Sequence, residues 1–536
     1  MDIQTENLQR DLQSPYFKQA IQEHEIEKWD DCNCQISKKT VQITFTQNQQ
    51  ILYLQDGAIL RKEQIHDTNN LELFSNIDQI ENVFWKGQNG LNKDKIGKWI
   101  VSWYGEVLVS VGGYYEVGQK HGLWKEMIQK FQIYAQVFQV GEYQHDLRRG
   151  QWNIIYHNKK IGNGRYNEIG QKIGKWIELS DSFFDYSQVT YNGEYNIKGR
   201  KIGKWDTMYC RNFEKYYKQI GGGIYIQKQD GNSGKYKMWI ELWEGFNDHA
   251  QVIYIGEYNI KSMKVGQWDI KYYQKYDNQY RKIGGGIYME YQDNSSGKIG
   301  NWLDLWEGFK STAQIIYNGD YNQQGKKIGR WNILLLDKFD YNSNTQIGGG
   351  YYEEQQNGTS VKMGIWIELW EGFKDNAQVT YVGEYNVKGV KMGRWNIWHQ
   401  EKYGDDKNNQ IGGGQYEEQQ DGICVKVGMW VEVWEGFNDN AQVTYSGQYN
   451  LNGVKIGQWE IMYRKNEDEP FKKIGGGQYY QQRKDFSIKT GRWIEMGDYW
   501  WQTYNGNYNE QGIKIGIWKA MDISENKKFD EIIYND

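Results

Sequence analysis

The stretch "QVTYVGEYNVKGVKMGRWNIW", Gln378–Trp398, decides the fold through its offsets. On the first limb Val379, Tyr381, Gly383 and Tyr385 share one parity; on the second, Lys391, Gly393, Trp395 and Ile397 do. A period of two marks a strand, because alternate side chains point to one face. Asn386-Val-Lys-Gly389 between the limbs is short, polar and closed by the residue that tolerates positive φ, so the stretch reads as a β-hairpin. A glycine inside a strand dents the sheet, and an aromatic ring can lie over the dent and shield the backbone. Gly393 and Trp395 fall on one face, so the indole of one hairpin is expected to roof the glycine of its neighbour.

The hairpin recurs. Ile-Gly-Gly-Gly begins at Ile220, Ile283, Ile347, Ile411 and Ile474, with gaps of 63, 64, 64 and 63 residues. Each such unit divides in two, since Gly-x-Tyr followed by Lys-x-Gly-x-Trp occurs twice within it. The motifs end on Trp99, Trp124, Trp152, Trp176, Trp205, Trp239, Trp268, Trp302, Trp331, Trp366, Trp395, Trp430, Trp459, Trp493 and Trp518. From Trp205 to Trp459 the spacing alternates between 29 and 34–35. The glycines two residues earlier, among them Gly266, Gly300, Gly329, Gly364, Gly393, Gly428 and Gly457, complete the structural signature. Copies also decay: Lys237 replaces the glycine before Trp239, and Asn89 replaces the tyrosine after Gly87.

A lone hairpin is unstable in water, and stacking supplies the missing burial. The expected fold class is therefore an all-β repeat: an elongated, twisted antiparallel sheet of about fifteen hairpins, extending ~140 Å at the usual strand spacing.

Composition agrees. Hydrophobic residues make up only 38% of the 536, yet aromatics reach 16%, with 25 Trp, 43 Tyr and 62 Gly, so the interior must be aromatic plates lying on glycines. The 64 basic and 69 acidic residues are evenly spread, which leaves no basic field for nucleic acid. Four cysteines are too few for a secreted disulfide framework. The opening MDIQTENLQRD lacks a basic-then-apolar pattern and no run is long and apolar enough to span a membrane, so a soluble, cytoplasmic chain is expected.

"YNGEYNIKGRKIGKW" at Tyr191–Trp205 and "GQKHGLWKEM" at Gly118–Met127 resemble the MORN repeat, nearest to the shorter variant of bacterial antitoxin-like proteins. The likeness runs from about Trp85 to Trp518, and the alternation of short and long halves looks like the expanded tandem arrays of some protists. The IGGG-bearing long halves depart from the usual MORN length. The resemblance implies a sheet of hairpins with a scaffolding or tethering role in cytoskeletal or cortical structure, and a membrane surface as the alternative partner. A basic row including Lys98, Lys175 and Lys204 would be needed for anionic lipid.

The ends differ from the array. Residues 1–35 are expected to be helical, starting at Ser14-Pro15 and running through Phe17, Ala20 and Ile21 to about Trp29. Residues 36–80 read as a short β cap, with "VQITFTQNQQILYL" (Val41–Leu54) as its hairpin. The array occupies 81–520, and the charged tail 521–536 is expected to fray.

Little suggests chemistry. A phosphate loop needs a helix N-terminus behind it, whereas each IGGG leads into a Tyr-bearing strand. Cys32-x-Cys34 lacks a second pair at metal-binding spacing, and histidines 24, 66, 121, 145, 157, 249 and 399 occupy no repeated position. Glu194, Glu257, Asp320 and Glu384 lie opposite the aromatic face, while Glu241, Asp304, Glu368 and Glu432 follow the long-half tryptophan by two. Acids repeated in this way read as a solvated face with lysine partners rather than as a glycosidase pair. No catalytic residue, cofactor or metal is assigned.

The long halves end in "WIELWEGF" at Trp239 and Trp366, "WLDLWEGF" at Trp302 and "WVEVWEGF" at Trp430. These strands are apolar on both faces, so either the sheet coils on itself or the EGF loop folds back. The pairs Trp243/Phe246, Trp306/Phe309, Trp370/Phe373 and Trp434/Phe437 then have two readings. They plug the rim of the sheet, or they form exposed anchors, ~19 Å apart, for an elongated or repetitive protein partner. A third possibility is carbohydrate or ligand capture on open Trp/Tyr rings.

Overall fold

A computed structural model describes residues 21–30, 35–45, 50–55, 58–64, 74 and 76–534, except 92–93, 229, 276–277, 294, 338–342, 401–407, 420–421, 467–468, 484–485, 498, 524 and 526. Among the described residues the chain is all-β, with 35 strands and one short helix. It divides into two compact units, the first reaching Arg281 and the second beginning at Lys282. In both, strands pair antiparallel with their neighbours in sequence, giving hairpin after hairpin. No helix among the described residues is long and apolar enough to cross a membrane.

The first unit opens with a four-stranded sheet: β1 (Ile21–Asp30), β2 (Gln35–Phe45), β3 (Gln50–Gln55) and β4 (Ala58–Gln64), in that order. The helix expected to run on to Trp29 is therefore a strand over Ile21–Asp30, in unbroken register with Gln35–Thr44. The physical reason is an alternation inside "EHEIEKW", where Ile26 turns into a core while Glu25 and Glu27 turn away from it. Residues 15–20 and the Cys32/Cys34 pair lie outside the described residues.

Helix α1 (Ile77–Asn82) follows, capped by Asn76, whose side chain accepts from the Gln79 N–H at 2.8 Å. Ile26, Val41, Ile43, Ile51, Tyr53, Ile77 and Ile80 form one buried cluster. Asn76 Nδ2 and Gln79 Nε2 both donate to the Phe131 carbonyl, at 3.1 and 2.9 Å, and Lys130 meets Glu27 at 2.6 Å. The cap thus has its own core and is tied to the first repeats by hydrogen bonds.

In the array each motif glycine has a separate duty. Gly383 lies beneath the indole of Trp395, on the other strand of the same hairpin, and a Cβ there would enter the ring. Gly393 meets nothing within 4 Å but has φ +65°, a left-handed bend that lets the strand bulge. The expectation that Gly393 is the roofed residue is corrected: the covered glycine belongs to Gly-x-Tyr, and the one in Lys-x-Gly-x-Trp turns the backbone. All fifteen tryptophans cover a glycine eleven to sixteen residues upstream, from Gly87 under Trp99 to Gly506 under Trp518. Lys237, which stands at the missing glycine, keeps the bend with φ +59°.

The IGGG triplets combine these duties. Gly412 faces the Val431 carbonyl, Gly413 takes φ +126° against the Trp395 carbonyl, and Gly414 lies under Trp430. All three sit within the strand Asn408–Glu418, so the triplet is structural.

The tail is also a correction. Lys528–Tyr534 forms the last strand and pairs with Lys514–Asp522. Tyr534 lies edge-on to Trp518 at 6.2 Å, so the segment expected to fray adds one more strand and ring to the array.

Candidate functional site

One sheet face carries a ladder of rings. In the second unit Trp366, Tyr385, Trp395, Tyr416, Trp430 and Tyr449 meet edge-to-face in sequence, with centroids 5.1–6.3 Å apart. Lysines lie across the indoles: Lys391 Nζ is 4.0 Å from the Trp395 centroid and Lys455 Nζ 4.1 Å from that of Trp459. All fifteen tryptophans are buried. Ligand or carbohydrate capture on open rings is therefore closed off by the lysine stems and neighbouring tyrosines.

The carboxylates that follow the long-half tryptophans lie on this same face. Glu368 takes Lys362, Lys391 at 2.8 Å and the Tyr385 hydroxyl at 2.7 Å. Glu432 takes Lys426, Lys455 at 3.0 Å and the Tyr449 hydroxyl at 2.8 Å. The lysine partners agree with expectation, but the acids are largely buried rather than solvated. Burial opposes ionisation of Glu432, yet Lys455 and Lys426 outweigh it and lower the carboxyl to about 2. Tyr416 nearby is pushed up to about 12 by burial and then by the Glu432 charge. The signal in the sequence was a tyrosine 17 residues after each such acid and a lysine six before it.

The WEGF segments fold back over the adjoining part of the same face. Trp243, Phe246, Trp306, Phe309, Trp370, Phe373, Trp434 and Phe437 are all buried, none above 9% exposed. They are not exposed anchors. Trp370 and Phe437 pack with Ala377, Val379, Ile397 and Ile411, and successive loops interlock: Trp306 meets Phe373 at 6.3 Å and Trp370 meets Phe437 at 6.2 Å. In the second unit a backbone bond joins each loop to the next, Asp375 N–H to Thr312 O and Asp439 N–H to Asn376 O, both 2.8 Å. Leu369 and Val433 pack against these clusters, while Ile367 stays exposed, so only part of the second apolar face is covered.

In the first unit a cleft of about 840 Å³ is lined by Arg148, Trp152, Trp176, Glu178, Lys201 and the loop ending at Phe246. Arg148 is engaged by Glu126 and by the hydroxyls of Tyr143 and Tyr166, at 3.1 and 3.2 Å. Burial opposes the Glu178 charge, but Lys172, Lys201 at 3.0 Å and Tyr195 hold its carboxyl below the ordinary range. A carboxylate so held is a poor general acid near neutrality.

The opposite face is the open one. Lys98 stands opposite Tyr114, and Leu123 opposite Glu142, on four consecutive strands. Lys204 stands opposite Ile224 and Met238 opposite Glu257; Arg330 opposite Tyr351 and Ile365 opposite Glu384. Each set reads cation, two exposed apolar residues, carboxylate, with Leu123 72% and Ile365 73% exposed. Sequence reading missed this pattern because its members are ordinary residues whose adjacency depends on strand register. The lysines named for a basic row are interrupted by acids: Lys175 faces Glu194 and Lys204 lies 2.9 Å from Asp206. No group of three or more His, Cys, Asp or Glu side chains is placed to hold a metal among the described residues.

No family model and no curated protein matches the chain. Among solved structures, Sqt1 of Saccharomyces cerevisiae is similar over 65% of this chain and 73% of its own, at 11% identity and a TM-score of 0.22.

Proposed function

We propose that this chain is a non-enzymatic, MORN-like β-repeat scaffold that binds a protein partner through its outward strand face. The observation that carries the reading is the four-strand set of cation, apolar pair and carboxylate, present at Lys98–Glu142, Lys204–Glu257 and Arg330–Glu384. The residues that hold the repeat together are buried and nearly constant, whereas these exposed positions vary from copy to copy. Such a division suits recognition. Exposed tyrosine, methionine and isoleucine flanked by opposite charges give an apolar contact with a charged rim. Three copies suit an elongated or repetitive partner, because linked contacts add avidity.

The test is affinity capture from the native cell with the wild-type chain and with Tyr351→Glu/Ile365→Glu. Recovery of a discrete protein set by wild type and its loss in the variant, at unchanged melting temperature, supports the reading. Capture of the same set by both overturns the assigned face, and no specific capture overturns the scaffold.

A further inference from the structure

Six lysines occupy one repeat position, the lysine four residues before a short-half tryptophan. Five reach the acid of the preceding long hairpin: Lys201–Glu178 at 3.0 Å, Lys264–Glu241 at 2.9 Å, Lys391–Glu368 at 2.8 Å, Lys455–Glu432 at 3.0 Å and Lys514–Glu495 at 3.1 Å. The sixth, Lys327, makes no ion pair among the described residues. Its expected partner is Asp304, one methylene shorter, which is committed to Lys298 at 2.5 Å and to the Tyr321 hydroxyl at 2.7 Å. Lys327 is half-buried, and its Nζ lies 4.3 Å from the Trp331 centroid, 5.4 Å from that of Tyr317 and 5.6 Å from that of Tyr352.

We propose that, of these six lysines, Lys327 is the preferred site of covalent acylation by small acyl donors with a good leaving group, the class of thioesters and acyl phosphates. In the step, the neutral amine nitrogen attacks the acyl carbonyl carbon, the thiolate or phosphate departs with the bonding pair, and the nitrogen loses a proton to water to leave an amide. Two arguments set this lysine apart from the other five. Burial lowers its pKa, and Lys298 and Lys362 add to the effect against Asp304 and Glu307, so more of it is neutral amine. Acylation at Lys391 or Lys264 would take one of two ammonium partners from a buried carboxylate, whereas at Lys327 it removes a charge that has no carboxylate in contact among the described residues.

The full-length chain is treated at neutral pH with limiting acetyl phosphate in one arm and acetyl-coenzyme A in the other, and site occupancy is followed by mass spectrometry. Lys327 is expected to be acetylated severalfold faster than Lys264 and Lys391 in at least one arm. Asp304→Glu, which extends the acid toward Lys327, should bring its rate down to theirs. Equal rates at the three lysines in both arms, or an unchanged Lys327 rate in Asp304→Glu, overturns the proposal. Stability gives a second reading: Lys327→Gln should melt at or above wild type and Lys391→Gln below it. Equal losses in the two variants overturn it as well.

Discussion

Two glycines of one motif, ten residues apart, do unlike work, and substitution separates them. Gly393→Ala meets open space and pays only for a left-handed bend, about 1 kcal/mol. Gly383→Ala drives a methyl into the Trp395 indole, and overpacking of this kind costs about 1–3 kcal/mol. Urea midpoints should fall further for Gly383→Ala, with the near-ultraviolet aromatic signal altered only in that variant. Lys237 already bears the strained bend, so Lys237→Gly should raise the midpoint by the equivalent of about 1 kcal/mol. The sequence showed that glycine and tryptophan were in register; it did not show which glycine a ring would cover. Parity assigns a residue to a face, but the bulge at Gly393 and the cross-strand partner are set by backbone geometry.

At the scale of the hairpin and its loop, burial of the WEGF rings makes them a second core. Phe437 is fully buried between Trp370 and His399, with centroids at 6.2 and 5.0 Å. Phe437→Ala should cost about 3–5 kcal/mol. It should also loosen both neighbouring loops, seen as faster hydrogen exchange at the Asp375 and Asp439 amides, which bridge one loop to the next. An unchanged exchange pattern would show that the loops fold independently. The sequence announced that strands apolar on both sides needed a cover and named a returning loop as one candidate. Whether Trp370 faced water could not be read from it, since a Trp-x-x-Phe spacing fits a plug and an anchor equally. The outermost elements were least legible: "EHEIEKW" at the start and "FDEIIY" at the end are short and rich in charge, and each becomes a strand because a partner strand is present to pair with it.

Across the whole chain the buried acids set the response to pH. Glu178, Glu241, Glu368, Glu432 and Glu495 all have folded-state pKa values below the ordinary one; burial opposes this and the paired lysines outweigh it. Such groups bind fewer protons folded than unfolded, so they stabilise fully above about pH 4.5 and lose that contribution as pH falls through the folded values. For Glu432 the window extends to about 2, a contribution of roughly 3 kcal/mol. Urea midpoints measured from pH 5 to pH 2 should decline steeply, and Glu432→Gln should start lower and decline less. A flat profile in the wild-type chain would mean that the lysine pairs leave stability untouched.

Because every motif indole lies on a glycine of its own hairpin, while each long-half acid reaches both its own hairpin and the next, the smallest self-consistent block is the 63–64-residue pair. Excising one such block in frame, such as residues 349–412, rejoins like to like, whereas removing a single hairpin orphans an acid and its loop. Copy number is therefore free to drift in whole blocks during descent, and recombination between blocks can lengthen or shorten the protein without a new solution to its interior.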